Sequence, residues 1–163
     1  MKKVDFTGSK IFKLPELLRY VEGMRLKSKK ISFTNGCFDV LHRGHIASLS
    51  DAAKEADFLI VGVNTDASTK RLKGESRPVN DQDSRALLLA SLMIVDAVIF
   101  FDEDTPIELI KALKPEVLVK GGDYTLEQIV GSKEVIENGG RVVINPIVEG
   151  FSTTGILEKI TKL

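Results

Sequence analysis

Twelve residues, Thr34-Asn-Gly-Cys-Phe-Asp-Val-Leu-His-Arg-Gly-His45, constrain the fold more than any other stretch of this 163-residue chain. They hold both histidines of the protein, its only cysteine and two of its glycines. A β-prone run, Ile31 to Phe33, precedes them, and the apolar positions Ile46, Leu49, Ala53 and Ala56 that follow recur at helical spacing. The expected local structure is a strand, a tight glycine turn and a helix with two imidazoles at its mouth. His42 and His45 are three residues apart and so share a helix face. Gly44 between them carries no side chain to keep a ligand from the backbone. The first helical turn offers unpaired N–H groups and about half a positive charge. Such an end binds phosphate on general grounds. Two other readings stay open on these residues alone. Cys37, His42 and His45 could hold a metal, although Cys-x4-His-x2-His is not a usual zinc spacing and no fourth ligand is evident. The histidines could also be ordinary capping or core residues.

Around this stretch apolar strands alternate with amphipathic helices. Residues 13–27 form an expected helix with Leu14, Leu17, Leu18, Val21 and Met24 on one side. Residues 31–34 make the first strand and 58–63, continuously apolar, a second strand covered on both faces. A short helix over 65–72 leads into a polar loop, 73–81, broken by Gly74 and Pro78. A helix over 83–93, a strand over 97–101 and a helix over 105–113 follow. The last of these opens Thr-Pro-Ile-Glu, the pattern of a threonine cap with proline at the first helical position. A fourth strand, 115–120, ends in Gly121, Gly122 and Asp123; a helix over 132–138 stops at Gly139 and Gly140. The fifth strand is 141–145, and a helix capped by serine and threonine closes the chain over 152–163. This order predicts an α/β fold, a doubly wound five-stranded parallel sheet, in one domain with residues 1–28 as lead-in and helix and 29–163 as core. Ligands of such sheets bind beyond the carboxyl ends of the strands. Gly36, Asn64, Gly121 and residues 150–154 all follow expected strand ends.

Composition narrows the classes of partner. Twenty-three basic residues balance 23 acidic ones, so no global field draws the chain to nucleic acid or an anionic membrane. There is no apolar run of about 20 residues and no signal-peptide pattern. One cysteine allows no internal disulfide, which fits a reducing compartment, and the cytoplasm is the expected location.

His42-x-Gly44-His45 after a first strand resembles the HxGH signature of a nucleotidyltransferase superfamily that includes cytidylyltransferases and pantetheine-phosphate adenylyltransferase. Longer blocks narrow the resemblance: Thr34-Asn-Gly-Cys-Phe-Asp39, Val63-Asn-x-Asp-Ala-Ser-Thr-Lys-Arg-Leu-Lys-Gly74, Ser76-Arg-Pro-Val-Asn80, Val119-Lys-Gly-Gly-Asp-Tyr124, Gly131-Ser-Lys-Glu-Val135 and Ser152-Thr-Thr154. Together, over roughly residues 30–162, they resemble the D-glycero-β-D-manno-heptose 1-phosphate adenylyltransferases, enzymes found alone or fused to a heptose kinase domain. A chain of this length has no room for the kinase, so the stand-alone form is expected.

The resemblance implies a Rossmann-like HxGH nucleotidyltransferase fold and adenylyl transfer, in which a sugar 1-phosphate oxygen attacks the α-phosphorus of ATP and pyrophosphate leaves. Positioning and charge neutralisation do most of such chemistry. It implies that His42, His45 and Lys73 are catalytic, the histidines as hydrogen-bond donors to phosphate and the lysine from a loop over the triphosphate. Thr34, Asn35, Gly36, Cys37, Phe38 and Gly44 would lie against the nucleotide, with Arg85 near the phosphates. Lys120, Gly121, Gly122 and Asp123 would hold base and ribose, and Ser152, Thr153 and Thr154 the β- and γ-phosphates. Asp39, Asn64, Asp66 and Arg77 would meet the sugar phosphate, with the first three open also to Mg²⁺. A simpler reading leaves the cations as solvated loop charges, Arg85 paired with Asp81 or Asp83, and Cys37 a small buried residue. No carboxylate cage is visible, so Mg²⁺ is expected to arrive with ATP. ATP and a sugar 1-phosphate are the expected ligands, and a homodimer or higher oligomer the expected assembly. Two other functions fit the motifs: a sister transferase such as glycerol 3-phosphate cytidylyltransferase, or a nucleotide-sensing module without turnover.

Overall fold

The computed structural model describes residues 8–146, 148 and 150–162. Six strands form one sheet: β1 (Ile11–Phe12), β2 (Ile31–Gly36), β3 (Phe58–Asn64), β4 (Ala97–Phe101), β5 (Val117–Gly121) and β6 (Arg141–Asn145). Their order is β1-β4-β3-β2-β5-β6, and every neighbouring pair is parallel. The helices are α1 (Leu14–Arg25), α2 (Arg43–Lys54), α3 (Asp66–Lys73), α4 (Gln82–Ala90), α5 (Ile107–Leu113), α6 (Ser132–Glu137) and α7 (Thr153–Ile160).

Strand residues alternate strictly between two cores, as a pleated backbone requires. Ile31, Phe33, Ile60, Ala97, Ile99 and Leu118 point to one face, where Leu17 and Val21 of α1, Leu109, Ile110 and Leu113 of α5 and Val135 of α6 cover them. Leu59, Val61, Val63, Val98, Val117 and Val119 point to the other, against Leu49 and Ala52 of α2 and Ala86, Leu89 and Ala90 of α4. All seven residues of β3 are buried, which is why that segment reads as an unbroken apolar run.

The expected five strands become six. Ile11 and Phe12, within the expected lead-in, pair with Val98 and Ile99 at the sheet edge, a contact too short to carry a periodic signal. The expected cap at Thr105 also fails: Pro106 is the N-cap of α5, which begins at Ile107 without any side-chain cap bond. Helix α4 begins one residue earlier than expected, capped by Asp81, and ends at Ala90, so that Met93 is 95% exposed. The far end of the closing helix, Leu163, lies outside the described residues. No helix among the described residues is long and apolar enough to cross a membrane.

From β2 the chain steps through β3 to β4 on one side, then returns to place β5 and β6 on the other. The direction reverses between β2 and β5, and the crevice beyond their carboxyl ends is where such sheets bind ligands.

Candidate active site

The histidine turn occupies that crevice. β2 runs on to Asn35 and Gly36, which pair with Gly62 and Val63 of β3, two residues beyond the expected strand end. His42 is the N-cap of α2, and its Nδ1 accepts the Gly44 N–H at 3.1 Å. With Nδ1 an acceptor, the neutral ring carries its proton on Nε2 and can donate from there. The His42 and His45 rings stack with centroids 3.8 Å apart. A Cβ on Gly44 would sit 3.0 Å from the His42 ring, so the glycine makes room for the imidazole as well as for a ligand. Phe38 adopts φ +48, an uncommon conformation for an aromatic residue, and its buried ring packs 5.3 Å from that of His45. Burial lowers the pKa of His42 and, with the charge of His42 adding to it, brings that of His45 down to about 4. The Val40 carbonyl opposes this shift, yet His45 Nδ1 is buried without a hydrogen bond of good geometry. Both rings are therefore neutral donors near pH 7.

A cleft of about 650 Å³ opens over the turn and gathers most of the expected site. Asn35, Gly36, Cys37, Phe38, Asp39, His42, His45, Asn64, Lys73, Arg77, Lys120, Ser152, Thr153 and Thr154 line it. A second cavity of about 220 Å³ adjoins it on the β5–β6 side, shares both histidines and Lys120, and adds Thr34, Gly44 and Gly121. Lys120 is held half-buried at the end of β5; burial lowers its pKa, and the nearby Lys73 charge adds to the effect. Its Nζ lies 5.9 Å from the Tyr124 ring centre. Gly122, at φ +135, lets that ring close down, since a Cβ there would meet it at 2.6 Å. Ser152 caps α7 by accepting the Gly155 N–H at 3.0 Å, and Thr153 Oγ1 donates to the Val40 carbonyl, tying the start of α7 to the histidine turn.

Four expected residues line neither cavity: Asp66, Arg85, Gly122 and Asp123. Arg85 is corrected from phosphate contact to internal tie. Its side chain is 0% exposed, with Nη1 on the Cys37 carbonyl at 2.5 Å, Nε on the Asn80 carbonyl at 3.0 Å and Nη2 on Asp66 at 2.7 Å. The partner is Asp66, not Asp81 or Asp83, because the guanidinium points inward under the cleft. Asp66 gives Oδ1 to that bond and lines neither cavity, so the geometry brings it to neither a sugar nor a metal. Asp39 is also corrected: 2% exposed, its carboxylate accepts from Arg77 Nε at 2.5 Å and from the Val79 and Asn80 N–H groups at 2.7 and 3.0 Å. It holds the cationic loop in place from the cleft wall, with both carboxylate oxygens already in hydrogen bonds. Asn64, 3% exposed, donates to Ser68 Oγ at 3.0 Å and closes the cleft floor. Cys37 is half-buried on the cleft wall instead of in the core, its thiol 3.8 Å from Asn64 Oδ1.

The metal reading of Cys37, His42 and His45 has no geometric support. His42 Nδ1 is taken by Gly44, and among the described residues no group of three or more His, Cys, Asp or Glu is placed to hold a metal. The structure adds residues that sequence reasoning missed. Leu72, Asp104, Thr105, Pro106, Tyr124, Gln128, Ile129 and Val130 line the larger cleft, and Ser48, Pro146, Val148 and Phe151 the smaller. Leu72 and Tyr124 stood inside quoted motifs and Thr105 and Pro106 inside the expected cap, none of them as site residues; the others are assembled by the crossovers.

Comparison with known proteins gives concordant results. The cytidylyltransferase-like family pattern matches residues 33–159. The bifunctional protein HldE of Caulobacter vibrioides is 55% identical over 142 residues, 87% of this chain and 29% of that protein. The bifunctional protein HldE of Klebsiella pneumoniae is 51% identical over 156 residues, 96% of this chain and 33% of that protein. The chain thus spans about a third of the length of the curated relatives it matches. Among solved structures, the lipopolysaccharide core biosynthesis protein from Thermoplasma volcanium superposes with a TM-score of 0.60 at 30% identity, covering 74% of this chain and 97% of that one. Pantoate-beta-alanine ligase from Francisella tularensis, at 17% identity and a TM-score of 0.59 over 94% of this chain and 78% of that one, shares the fold alone.

Proposed function

This chain belongs to the cytidylyltransferase-like family of nucleotidyltransferases, and from that premise we propose that it transfers AMP from ATP to D-glycero-β-D-manno-heptose 1-phosphate. A phosphate oxygen of the sugar attacks the α-phosphorus in line, the bond from that phosphorus to the bridging oxygen breaks, and pyrophosphate leaves with the electron pair. The observation that carries the proposal is the convergence of His42, His45, Lys73, Lys120 and the start of α7 on one cleft at the reversal of strand order.

Each group has a role suited to its surroundings. The neutral His42 donates from Nε2 to a phosphate oxygen, and His45 donates beside it, so charge growing on the transferred phosphoryl meets fixed dipoles in a partly dried site. Lys73, exposed at the last residue of α3 instead of on the loop beyond it, gains an anionic partner once a polyphosphate fills the cleft. Lys120, its ammonium already destabilised by burial, gains the most from an anionic neighbour. The first-turn amides of α7, at Thr153 and Thr154, face the β- and γ-phosphates of the leaving group. Mg²⁺ enters as part of the ATP complex, with phosphate and water oxygens as its ligands.

Pyrophosphate release tests the proposal with four pairings of nucleotide and acceptor. ATP with heptose 1-phosphate is expected to be the productive pair. Turnover of CTP with glycerol 3-phosphate in its place would make the chain a sister cytidylyltransferase, and nucleotide binding without pyrophosphate from any pair would make it a silent module.

A further inference from the structure

The two cavities meet at the histidines but differ in chemistry. On the β5–β6 side the smaller one includes Gly44, Pro146, Val148 and Phe151, an apolar surface suited to a flat ring. On the β3–β4 side the larger cleft runs past Lys73 and Arg77 to a different wall, formed by residues 104–106 after β4 and by residues 128–129 from the crossover between β5 and β6. Nothing in the chemistry of ATP calls for that second wall.

Its polar groups are of three kinds. Asp104 gives one carboxylate oxygen to Arg71 Nε at 2.8 Å, so its charge is balanced while its other oxygen can accept. Thr105 makes no cap bond to α5, which begins after Pro106, and its hydroxyl can both donate and accept. Gln128 uses Oε1 to accept the Thr125 N–H at 2.9 Å, which fixes the amide and leaves its N–H₂ as donor. Buried Pro106 and Ile129 supply apolar surface between them. A ligand that suits this set has many hydroxyls, each both donor and acceptor, on a carbon frame with C–H faces. Lys73 and Arg77 line the same cleft as the histidines, and with Arg77 paired to Asp39 it is Lys73 that is left for an anionic group on that ligand.

We infer that the wall of Asp104, Thr105 and Gln128 is the polyol subsite of the acceptor, binding the hydroxyls of a sugar phosphate whose phosphate points past Lys73 to the histidines. The inference deepens the proposed function and rests on it for the acceptor being a phosphorylated polyol. It assigns sugar selectivity to residues outside the sequence motifs, since a site built to pair hydroxyls rejects ligands that lack them.

The test is acceptor affinity, measured by calorimetry in the presence of a non-hydrolysable ATP analogue. Thr105→Val removes a hydroxyl at constant shape. Gln128→Glu keeps the acceptor for Thr125 and replaces the donor with an acceptor. Each is expected to weaken D-glycero-β-D-manno-heptose 1-phosphate by about fivefold to tenfold, one lost hydrogen bond, with analogue affinity within twofold and an unchanged melting temperature. Glycerol 3-phosphate, which has fewer hydroxyls to lose, is expected to respond less. Heptose phosphate affinity unchanged in both variants, or ATP-analogue affinity falling equally, overturns the subsite while leaving adenylyl transfer standing. If wild type binds another polyol phosphate but not the heptose compound, and the variants weaken that one, the subsite stands and the proposed substrate falls. If wild type binds no polyol phosphate, both fall.

Discussion

Asp39 offers the sharpest structural prediction, because its sequence context suggests a ligand contact and its geometry gives it a structural task. The carboxylate is 2% exposed and accepts three hydrogen bonds, from Val79 N, Asn80 N and Arg77 Nε. Asp39→Ala leaves two backbone N–H groups without partners and a guanidinium, only 15% exposed, without its counter-charge. Each orphaned donor costs about 1–3 kcal/mol, and losing one partner of a buried pair costs about 3–5 kcal/mol. These terms overlap, since residues 77–80 can shift toward water, so the net loss is about 3–5 kcal/mol. For a chain of this size that corresponds to a fall of roughly 6–20 °C in melting temperature. Asp39→Asn keeps one carbonyl oxygen for Val79 and Asn80 and loses the charge pair, so its loss is expected to be the smaller of the two. Thermal melts of the three proteins, with limited proteolysis of the 74–81 loop as a local readout, measure both effects. An Asp39→Ala melt within about 2 °C of wild type, or equal losses for the two variants, would refute the role given to this carboxylate.

Other expectations concern the histidine turn. His45→Ala is expected to lower turnover by about 10²–10⁴-fold, the loss of a fixed electrostatic donor, and a steady-state rate near wild type would remove the residue from the mechanism. His45 is neutral in the fold, with its pKa brought down from 6.5 to about 4. The unfolded chain therefore takes up a proton that the folded chain refuses as pH falls from 6.5 toward 4, and stability declines through that window. His42, also lowered, contributes with the same sign. Denaturation midpoints against pH should show this slope, and His45→Gln should flatten it. Cys37→Ser is expected to keep most activity, because Arg85 binds the carbonyl of that residue and not its thiol. Loss of turnover with intact ATP binding would give the sulfur a chemical role.

The central strands and the first helix were legible because their signals are local. Phe58–Asn64 is buried on both faces and reads as apolar throughout, and His42 and Ser152 cap helices that begin where capping chemistry places them. The edge strand was not legible, since Ile11 and Phe12 gain their pairing only from β4, with partners 87 residues away. Thr105 misled for a related reason: its sequence has the form of a cap, but buried Pro106 takes the position and frees the threonine for the cleft. At the site, the convergence of Lys73, Lys120 and Thr153 with the histidines followed from strand ends meeting at one edge. The inward turn of Arg85 did not, because a helix position fixes a face of the helix and not which of three nearby oxygens a long side chain will reach. The wall at 104–106 and 128–129 joins two crossovers, and no short window contains both.

The most direct test of the account is the stereochemical course at the transferred phosphorus. ATP bearing one sulfur of defined configuration at the α-phosphorus, turned over with D-glycero-β-D-manno-heptose 1-phosphate, is expected to give a nucleotide sugar of inverted configuration together with pyrophosphate. Inversion is the signature of one in-line displacement by the sugar phosphate, with the histidines acting only as donors. A product of retained configuration would require two displacements through an enzyme-bound AMP on Cys37 or a histidine, and it would contradict the roles assigned to both.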